Sequence, residues 1–120
     1  MEEQSILKST KKLLGLSDDF KAFDLDVLVN INAALATLAQ ITNGVFVPLE
    51  DENTVWGDLS VKDLTVLNMA KQYIYLRTRL AFDPPNTSFV LTAIKEQIKE
   101  HEWRIEVEAS KPIAIILETP

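Results

Sequence analysis

Two adjacent prolines constrain the fold of this chain more than any other feature. They stand in the sequence Phe82-Asp83-Pro84-Pro85, after a long segment in which apolar side chains cover most of a helical wheel. A helix that is apolar on most sides is covered by several neighbours, so this segment is predicted to be a central helix. Pro84 disfavours helical geometry at Asp83, and the helix is therefore predicted to end at Phe82. The Asn-Thr-Ser triplet that follows can cap another helix, so these four residues are predicted to form a structural corner.

The central helix is predicted over residues 61–82, and the helix after the corner over residues 87–109. A weak form of the capping box, Ser60 with Asp63, marks the start of the central helix. Apolar residues give the last helix one side that faces the core. These residues are Leu91, Ile94, Ile98 and Ile105.

Two further helices precede the central one. The first is predicted over residues 5–14, and Gly15 suits the left-handed residue that commonly stops a helix. The second is predicted over residues 24–42, where apolar residues recur at spacings of three and four. Asp24 is predicted to be its N-cap, with Phe23 before it in a hydrophobic staple.

Residues 44–59 are less regular than their neighbours. Their short β-prone runs predict an irregular loop or a short β-hairpin, although no two-residue turn signal marks a hairpin. Trp56 is predicted to anchor this loop on the helices. The chain is therefore predicted to be mainly all-α, with about four helices in a single domain over residues 1–110 and an extended apolar C-terminal tail over residues 111–120.

The composition limits the classes of protein to which this chain can belong. Its 120 residues, 47% of them hydrophobic, suit one packed domain. It has no cysteine, which excludes disulfides and thiolate chemistry. The net charge of −6 argues against sequence-specific nucleic-acid binding, which usually needs a basic patch. The apolar runs are short for a bilayer span and the acidic start is unlike a signal peptide, so we expect no membrane association and a cytosolic site of assembly.

No group of side chains has the pattern of a catalytic or metal site. The single histidine, His101, matches the core side of the last helix and has no second ligand at metal-binding spacing, so a structural role is predicted. Asp24 and Asp26 are interpreted as first-turn acids that the helix dipole favours, rather than as an acid/base pair. We therefore expect no enzymatic activity, no metal and no cofactor.

Arg77 lies within the apolar arc of the central helix, where a charge needs a partner or a route to solvent. One interpretation is an arginine whose side chain extends to water near the helix end. The other is a salt bridge to a carboxylate, either that of Asp83 or one from a neighbouring subunit. The sequence leaves both open.

Apolar residues away from the predicted core indicate a partner protein. Phe89, Trp103 and Val107 cluster on a wheel of the last helix, on the side opposite its core positions. The tail carries a β-prone run with no identifiable strand partner in the chain. This run comprises Ile113, Ala114, Ile115, Ile116 and Leu117. Either the tail pairs with another protein, or it folds back and covers Trp103.

Short motifs spread in order over roughly residues 5–108 resemble those of one known family. They are Phe23-Asp24-Leu25-Asp26, Ile31-Asn32, Leu38-Ala39-Gln40, Trp56-Gly57-Asp58, Tyr73-Ile74-Tyr75-Leu76-Arg77, Phe82-Asp83-Pro84-Pro85 with Ser88, and Glu102-Trp103-Arg104. With this set the sequence resembles the phage head–tail connector, or head-completion adaptor, family of long-tailed phages. The most specific combination is the Phe-Asp-Pro-Pro corner with a long helix that ends in Glu-Trp-Arg. The sequence departs from the pattern at residues 41–44, where a Leu-Gly-Val-Gly-like turn is expected, and from residue 111 onward.

The resemblance implies a small helical structural protein without enzymatic activity. Such adaptors form a ring, commonly a dodecamer, beneath the portal protein and connect the DNA-filled head to the stopper or tail-completion protein. The genome passes through the lumen, and an acidic wall would let DNA slide. We therefore expect a virion protein of the neck, assembled in the host cytoplasm. In such a ring Phe89, Trp103, Val107 and Arg77 are candidate subunit contacts, and the run from Ile113 to Leu117 is a candidate anchor on the portal or on the neighbouring ring.

A second hypothesis is a small helical protein-interaction or regulatory domain of unrelated function. A DNA-binding domain of this kind would need a recognition helix with several exposed Arg or Lys residues, whereas the predicted helices are balanced or acidic. Association with a portal protein would separate the two hypotheses.

Overall fold

The computed structural model describes residues 5–42, 46, 48–49, 53–59 and 63–110. These residues form four α-helices and one short 3-10 helix. In chain order the elements are α1 (Ile6–Leu13), α2 (Asp24–Ile41), the 3-10 helix (Trp56–Leu59), α3 (Leu64–Phe82) and α4 (Ser88–Ser110). The described part of the chain contains no strand, and its single isolated bridge joins Ser5 to Val55. The prediction of an all-α fold is confirmed.

The central position belongs to α3, as its apolar circumference predicts. It packs against both α2 and α4, while α1 packs mainly against α2. Tyr73 and Ile74 of α3 are completely buried. The other helices add a further set of buried residues to the same core: Ile6, Leu7, Val27, Ile31, Ala34, Leu35, Leu38, Ile94, Ile98 and Ile105. Each fully buried Ile or Leu contributes about 1.5–3 kcal/mol, so this shared core holds the four helices together.

Both ends of α1 are closed by local hydrogen bonds. The hydroxyl of Ser5, the N-cap, accepts a bond of 3.2 Å from the backbone N–H of Lys8. Gly15 has a φ of 84°, a left-handed conformation that glycine adopts without side-chain strain. The N–H of Leu16 donates to the carbonyl of Lys11 at 2.8 Å, and the N–H of Gly15 donates to the carbonyl three residues before it at 3.1 Å. This is the Schellman pattern, and the predicted stop at Gly15 is confirmed.

The start of α2 differs from the prediction. Asp24 is the first residue of the helix, and Phe23, in the cap position, makes no side-chain capping bond. The Asp24 carboxylate instead lies 2.7 Å from Nζ of Lys11 on α1. The buried Lys11 also donates to the carbonyls of Phe20 at 2.6 Å and Asp18 at 3.4 Å. The predicted cap is therefore wrong, and so is the staple that assumed it, because the carboxylate lies in an ion pair with the buried ammonium of Lys11 instead of at the cap.

The start of α3 is set by its own cap. Asp63 is the N-cap, and its carboxylate accepts from the N–H of Thr65 at 2.9 Å. The helix therefore begins at Leu64 rather than at the predicted residue 61. Ser60, the other half of the predicted capping box, lies outside the described residues.

The proline corner joins α3 to α4 as predicted. α3 ends at Phe82, directly before Asp83 and the two prolines. α4 begins at Ser88, and the N–H of Val90 donates to the hydroxyl of Thr87 at 3.4 Å. The prolines stop one helix and the Thr87 hydroxyl starts the next, so the direction of α4 is set by a few local residues.

Only part of the segment predicted as a loop or hairpin, residues 44–59, is described. Among those residues, Trp56–Leu59 form the 3-10 helix, and Val55 pairs with Ser5 rather than with another residue of the segment. The described residues of this segment thus contain no hairpin. Phe46 and Trp56 instead lie buried in the core that the helices form.

Polar side chains from the helices hold this loop. The amide of Asn32 on α2 accepts from the N–H of Leu49 at 2.7 Å and donates to the carbonyl of Leu49 at 3.2 Å. Trp56 is buried, and its Nε1–H donates to the hydroxyl of Ser9 at 3.3 Å. The ammonium of Lys71 lies 5.2 Å from the centroid of the Trp56 ring, within range of a cation–π interaction.

α2 is the one described helix with the length and hydropathy needed to cross a bilayer. It has 18 residues and a mean hydropathy of 1.2. One side of it is buried against the other helices of the domain. The central helices of globular domains have the same length and hydropathy, so this property is weak evidence of a membrane span.

Candidate interaction surfaces

The outward side of α2 is apolar and exposed. Leu25 is 71% exposed and Val29 is 58% exposed. The exposed Ala33 and Ala36 continue the same side of the helix. We call Leu25, Val29, Ala33 and Ala36 the α2 face. No residue of α2 beyond Asp26 is charged, whereas the solvent side of a surface helix is usually polar, so this face has the character of a covered surface.

Aromatic rings extend the apolar surface at the start of α2. The Phe20 and Phe23 rings meet edge to face with centroids 5.4 Å apart, and Phe23 meets Phe82 in the same way at 5.1 Å. Phe20 and Phe23 are nevertheless exposed. These contacts join the turn before α2 to the proline corner.

The exposed residues of α2 were not among the interface residues predicted from the sequence. The signal that could have revealed them is the absence of any charged residue from 27 to 49. Leu25 and Val29 are separated by one helical turn and lie off the core stripe of α2. An apolar pair on the solvent side of an uncharged helix indicates an interface more strongly than its hydropathy alone does.

The exposed apolar residues of α4 occupy two separate places. Phe89 is 84% exposed and Trp103 is 64% exposed. The two lie about 21 Å apart along a helix of standard rise. Glu96 and Glu100, both exposed, lie on the same side between them. Phe89 is therefore a single exposed ring near the corner, and Trp103 pairs with Val107 near the end of α4.

Trp103 and Val107 border an open groove between the start of α3 and the end of α4. Its volume is about 290 Å³. Its lining consists of Thr65, Met69, Trp103, Arg104, Val107 and Glu108. We call it the Trp103 groove. Three large apolar side chains make it a site for another apolar group, and the two charged residues have opposite signs.

Within its own chain Arg77 binds hydroxyl groups. Its Nη1 donates to the hydroxyl of Thr37 on α2 at 3.1 Å and to that of Tyr73 at 2.7 Å. The Tyr73 hydroxyl donates in turn to the carboxylate of Glu102 on α4 at 2.7 Å. Within the described residues Asp83 is not a partner of Arg77, so the predicted Arg77–Asp83 salt bridge is wrong. Hydrogen bonds thus link Thr37, Arg77, Tyr73 and Glu102 in a row, and this row connects α2, α3 and α4.

The Tyr73 hydroxyl keeps its proton at any ordinary pH. Burial and, secondarily, the hydrogen bond to Glu102 raise the pKa of Tyr73 to about 12, although Arg77 opposes the rise. A hydroxyl that holds its proton this firmly is a poor acid or base near neutral pH. The arrangement is therefore suited to connecting three helices.

The remaining polar groups do not converge on a reactive centre. Nδ1 of the half-buried His101 lies 2.8 Å from the carbonyl oxygen of Gln97, one turn earlier on α4. The described residues hold no group of three or more His, Cys, Asp or Glu that could bind a metal. An open cleft of about 490 Å³ beside Arg77 is lined by charged residues of both signs, and it leaves Arg77 partly exposed. The predicted tail residues Ile113, Ile115, Ile116 and Leu117 lie outside the described residues.

Comparison with known protein families matches residues 6–112 of this chain to the phage connector protein family. The chain belongs to this family. The match includes the proline corner, all four helices and both surfaces described above. This connector therefore has a phage head–tail connector role in general terms, and it is a structural component of the virion. No curated protein and no solved structure matches the connector significantly.

Proposed function

We propose that this connector forms a ring, docks beneath the portal protein and joins the head to the tail. One observation carries the proposal: the α2 face is apolar, uncharged and exposed in the single chain. Removal of a Val or Leu side chain from water stabilises an interface by about 1.5–3 kcal/mol. A structural protein that acts in many copies can bury such a face against the next copy.

A closed ring needs two different surfaces on each copy, because a face that meets only its own equivalent forms a dimer. The α2 face supplies one of them. Phe89, or the pair Trp103 and Val107, supplies a candidate for the other. Arg77 faces an open cleft, where a carboxylate from the neighbouring subunit could reach it. We take a dodecamer as the working copy number.

The ring connects the portal protein to the stopper or tail-completion protein in the neck, after assembly in the host cytoplasm. The apolar run over residues 113–117 anchors the ring on the portal or on the neighbouring ring by adding a strand to it. The net charge of −6 supports a lumen that repels DNA and lets it pass without sequence-specific binding. This role requires no enzymatic step, cofactor or membrane.

The test is the mass of the protein in solution, alone and mixed with its portal protein. We expect wild-type protein to form a ring or to bind the portal, and Leu25→Glu/Val29→Glu to stay monomeric. The stability of the monomer should change by less than about 0.5 kcal/mol per substitution, because both side chains already face water. Gln72→Glu/Gln97→Glu is the matched control, since it adds the same charge at exposed positions of α3 and α4.

A wild-type monomer that ignores the portal under every condition would contradict the proposal that this connector forms a ring beneath the portal. If the Leu25→Glu/Val29→Glu variant assembles like wild type, the α2 face is not part of the subunit contact. Truncation after Ser110 tests the anchor separately, because it should abolish binding to the portal without affecting the α2 face.

A further inference from the structure

The Trp103 groove lies next to the point where the described chain stops. α4 ends at Ser110, and Trp103 lies about 10 Å before it along the helix axis. Residues 111–117 follow, and an extended chain of that length reaches roughly 23–25 Å. The apolar run over residues 113–117 can therefore reach Met69, Trp103 and Val107 without any movement of α4.

We propose that in the unassembled protein this apolar run occupies the Trp103 groove of its own chain. The chemistry of the two surfaces matches, since three apolar side chains of the groove meet a run of Ile, Ala and Leu. Trp103 is 64% exposed, although it is one of the largest apolar side chains of the chain. The groove thus has an apolar lining, an opening and a segment of fitting chemistry attached beside it.

The covalent connection favours the chain's own segment over that of another copy. A short covalent tether gives a local concentration on the order of 1 mM, so at about 10 µM protein it favours closure within one chain about 100-fold. This proposal concerns the free chain and stands apart from the proposed function. The two are compatible, because the run would leave the groove before it anchors on another protein.

Engineered cysteines provide the first test, since the chain has none of its own. In the full chain, Met69→Cys/Ile115→Cys places one thiol in the groove and one in the run. Glu106→Cys/Ile115→Cys is the control, because residue 106 is nearer to the run along the chain but lies outside the groove lining. At about 10 µM we expect the Met69 pair to close within one chain about tenfold faster than the Glu106 pair.

Quenching of tryptophan fluorescence by acrylamide provides the second test. Trp56 is buried, so most of the quenching reports Trp103. We expect Ile115→Asp/Leu117→Asp in the full chain to increase quenching, because a charged run leaves the groove. Thr119→Asp adds a charge outside the run and should leave quenching unchanged. In a Trp103→Phe background the increase should disappear.

Any one of three results would overturn the proposal: the two cysteine pairs close at equal rates, the disulfides join two chains, or the Asp substitutions leave quenching unchanged. Both tests are done without portal protein. A protein that forms rings on the portal but fails these tests contradicts this proposal alone, and one that passes them but ignores the portal contradicts only the proposed function.

Discussion

The ion pair between Lys11 and Asp24 should make two isosteric substitutions differ in effect. Lys11 is 2% exposed and Asp24 is 21% exposed, so the Lys11 charge is left with less access to water than the Asp24 charge when its partner is removed. Asp24→Asn leaves an ammonium enclosed in the protein. Lys11→Met keeps the buried alkyl chain and leaves a carboxylate that is partly exposed, although its Oδ1 is buried. We therefore expect Asp24→Asn to be the more destabilising change.

The magnitudes follow from these contacts. Breaking a buried ion pair costs about 3–5 kcal/mol, and we expect the lower end, about 3 kcal/mol, for Asp24→Asn because two carbonyls still accept from Lys11. Lys11→Met should cost about 1–2 kcal/mol, since the carboxylate is partly exposed and both carbonyls belong to exposed residues, while Oδ1 of Asp24 is left buried without its partner. The double variant leaves no buried charge and should resemble Lys11→Met. The coupling between the two sites is then about 3 kcal/mol.

Urea unfolding followed by circular dichroism at pH 7 measures these differences. With a slope of about 1.5 kcal/mol per molar urea, Asp24→Asn should lower the midpoint by about 2 M and Lys11→Met by about 1 M. Asp26→Asn is the control, because it removes a first-turn acid without breaking an ion pair and should cost less than about 1 kcal/mol. Additive effects, or a larger loss for Lys11→Met, would refute the reasoning.

Two further substitutions test the polar connection and the stop of α1. Tyr73→Phe should destabilise the protein by about 1–3 kcal/mol at pH 7, because it removes the bonds to Arg77 and Glu102. The pKa of Tyr73 is about 12 when folded and about 10 when unfolded, so the stability from this group is intact below pH 10 and falls as the pH rises towards 12. The variant should lose that part of the decline. Ultraviolet titration of the one phenol that it keeps should lack the step near pH 12. Gly15→Ala should cost about 1–2 kcal/mol in thermal unfolding from the left-handed φ alone, since an added Cβ meets no atom within 4 Å; an unchanged melting temperature would contradict this.

The sequence is sufficient to predict the features that neighbouring residues determine. The end of α3 follows from Asp83-Pro84-Pro85, and the stop of α1 follows from Gly15. The core side of α4 follows from the spacing of its isoleucines. Each depends on interactions within about one turn of helix. The geometry of a single turn is the same in every fold, so it can be used before the tertiary structure is known.

The misassigned features depend on distant residues. Asp24 has a residue type and position that favour an N-cap, and only packing of α1 against α2 reveals Lys11 as its partner. For Arg77 the sequence left open a route to solvent or a carboxylate partner, and the fold places the hydroxyls of Thr37 and Tyr73 within reach. A helical wheel also ignores distance along the axis, and so it groups Phe89 with Trp103.

The paired hydrogen bonds between Asn32 and Leu49 have a consequence for how freely this loop can vary. A side-chain amide presents one donor and one acceptor, as a peptide group does, so Asn32 takes the place of a neighbouring strand for one residue. Asn32 binds only main-chain atoms of residue 49, so these two bonds do not involve the side chain there. Any residue except proline can make these two main-chain bonds at position 49, whereas the Leu49 side chain is itself buried in the core. The tether therefore constrains the side chain of Asn32 on α2, and the side chain at position 49 is constrained separately, by its packing in the core.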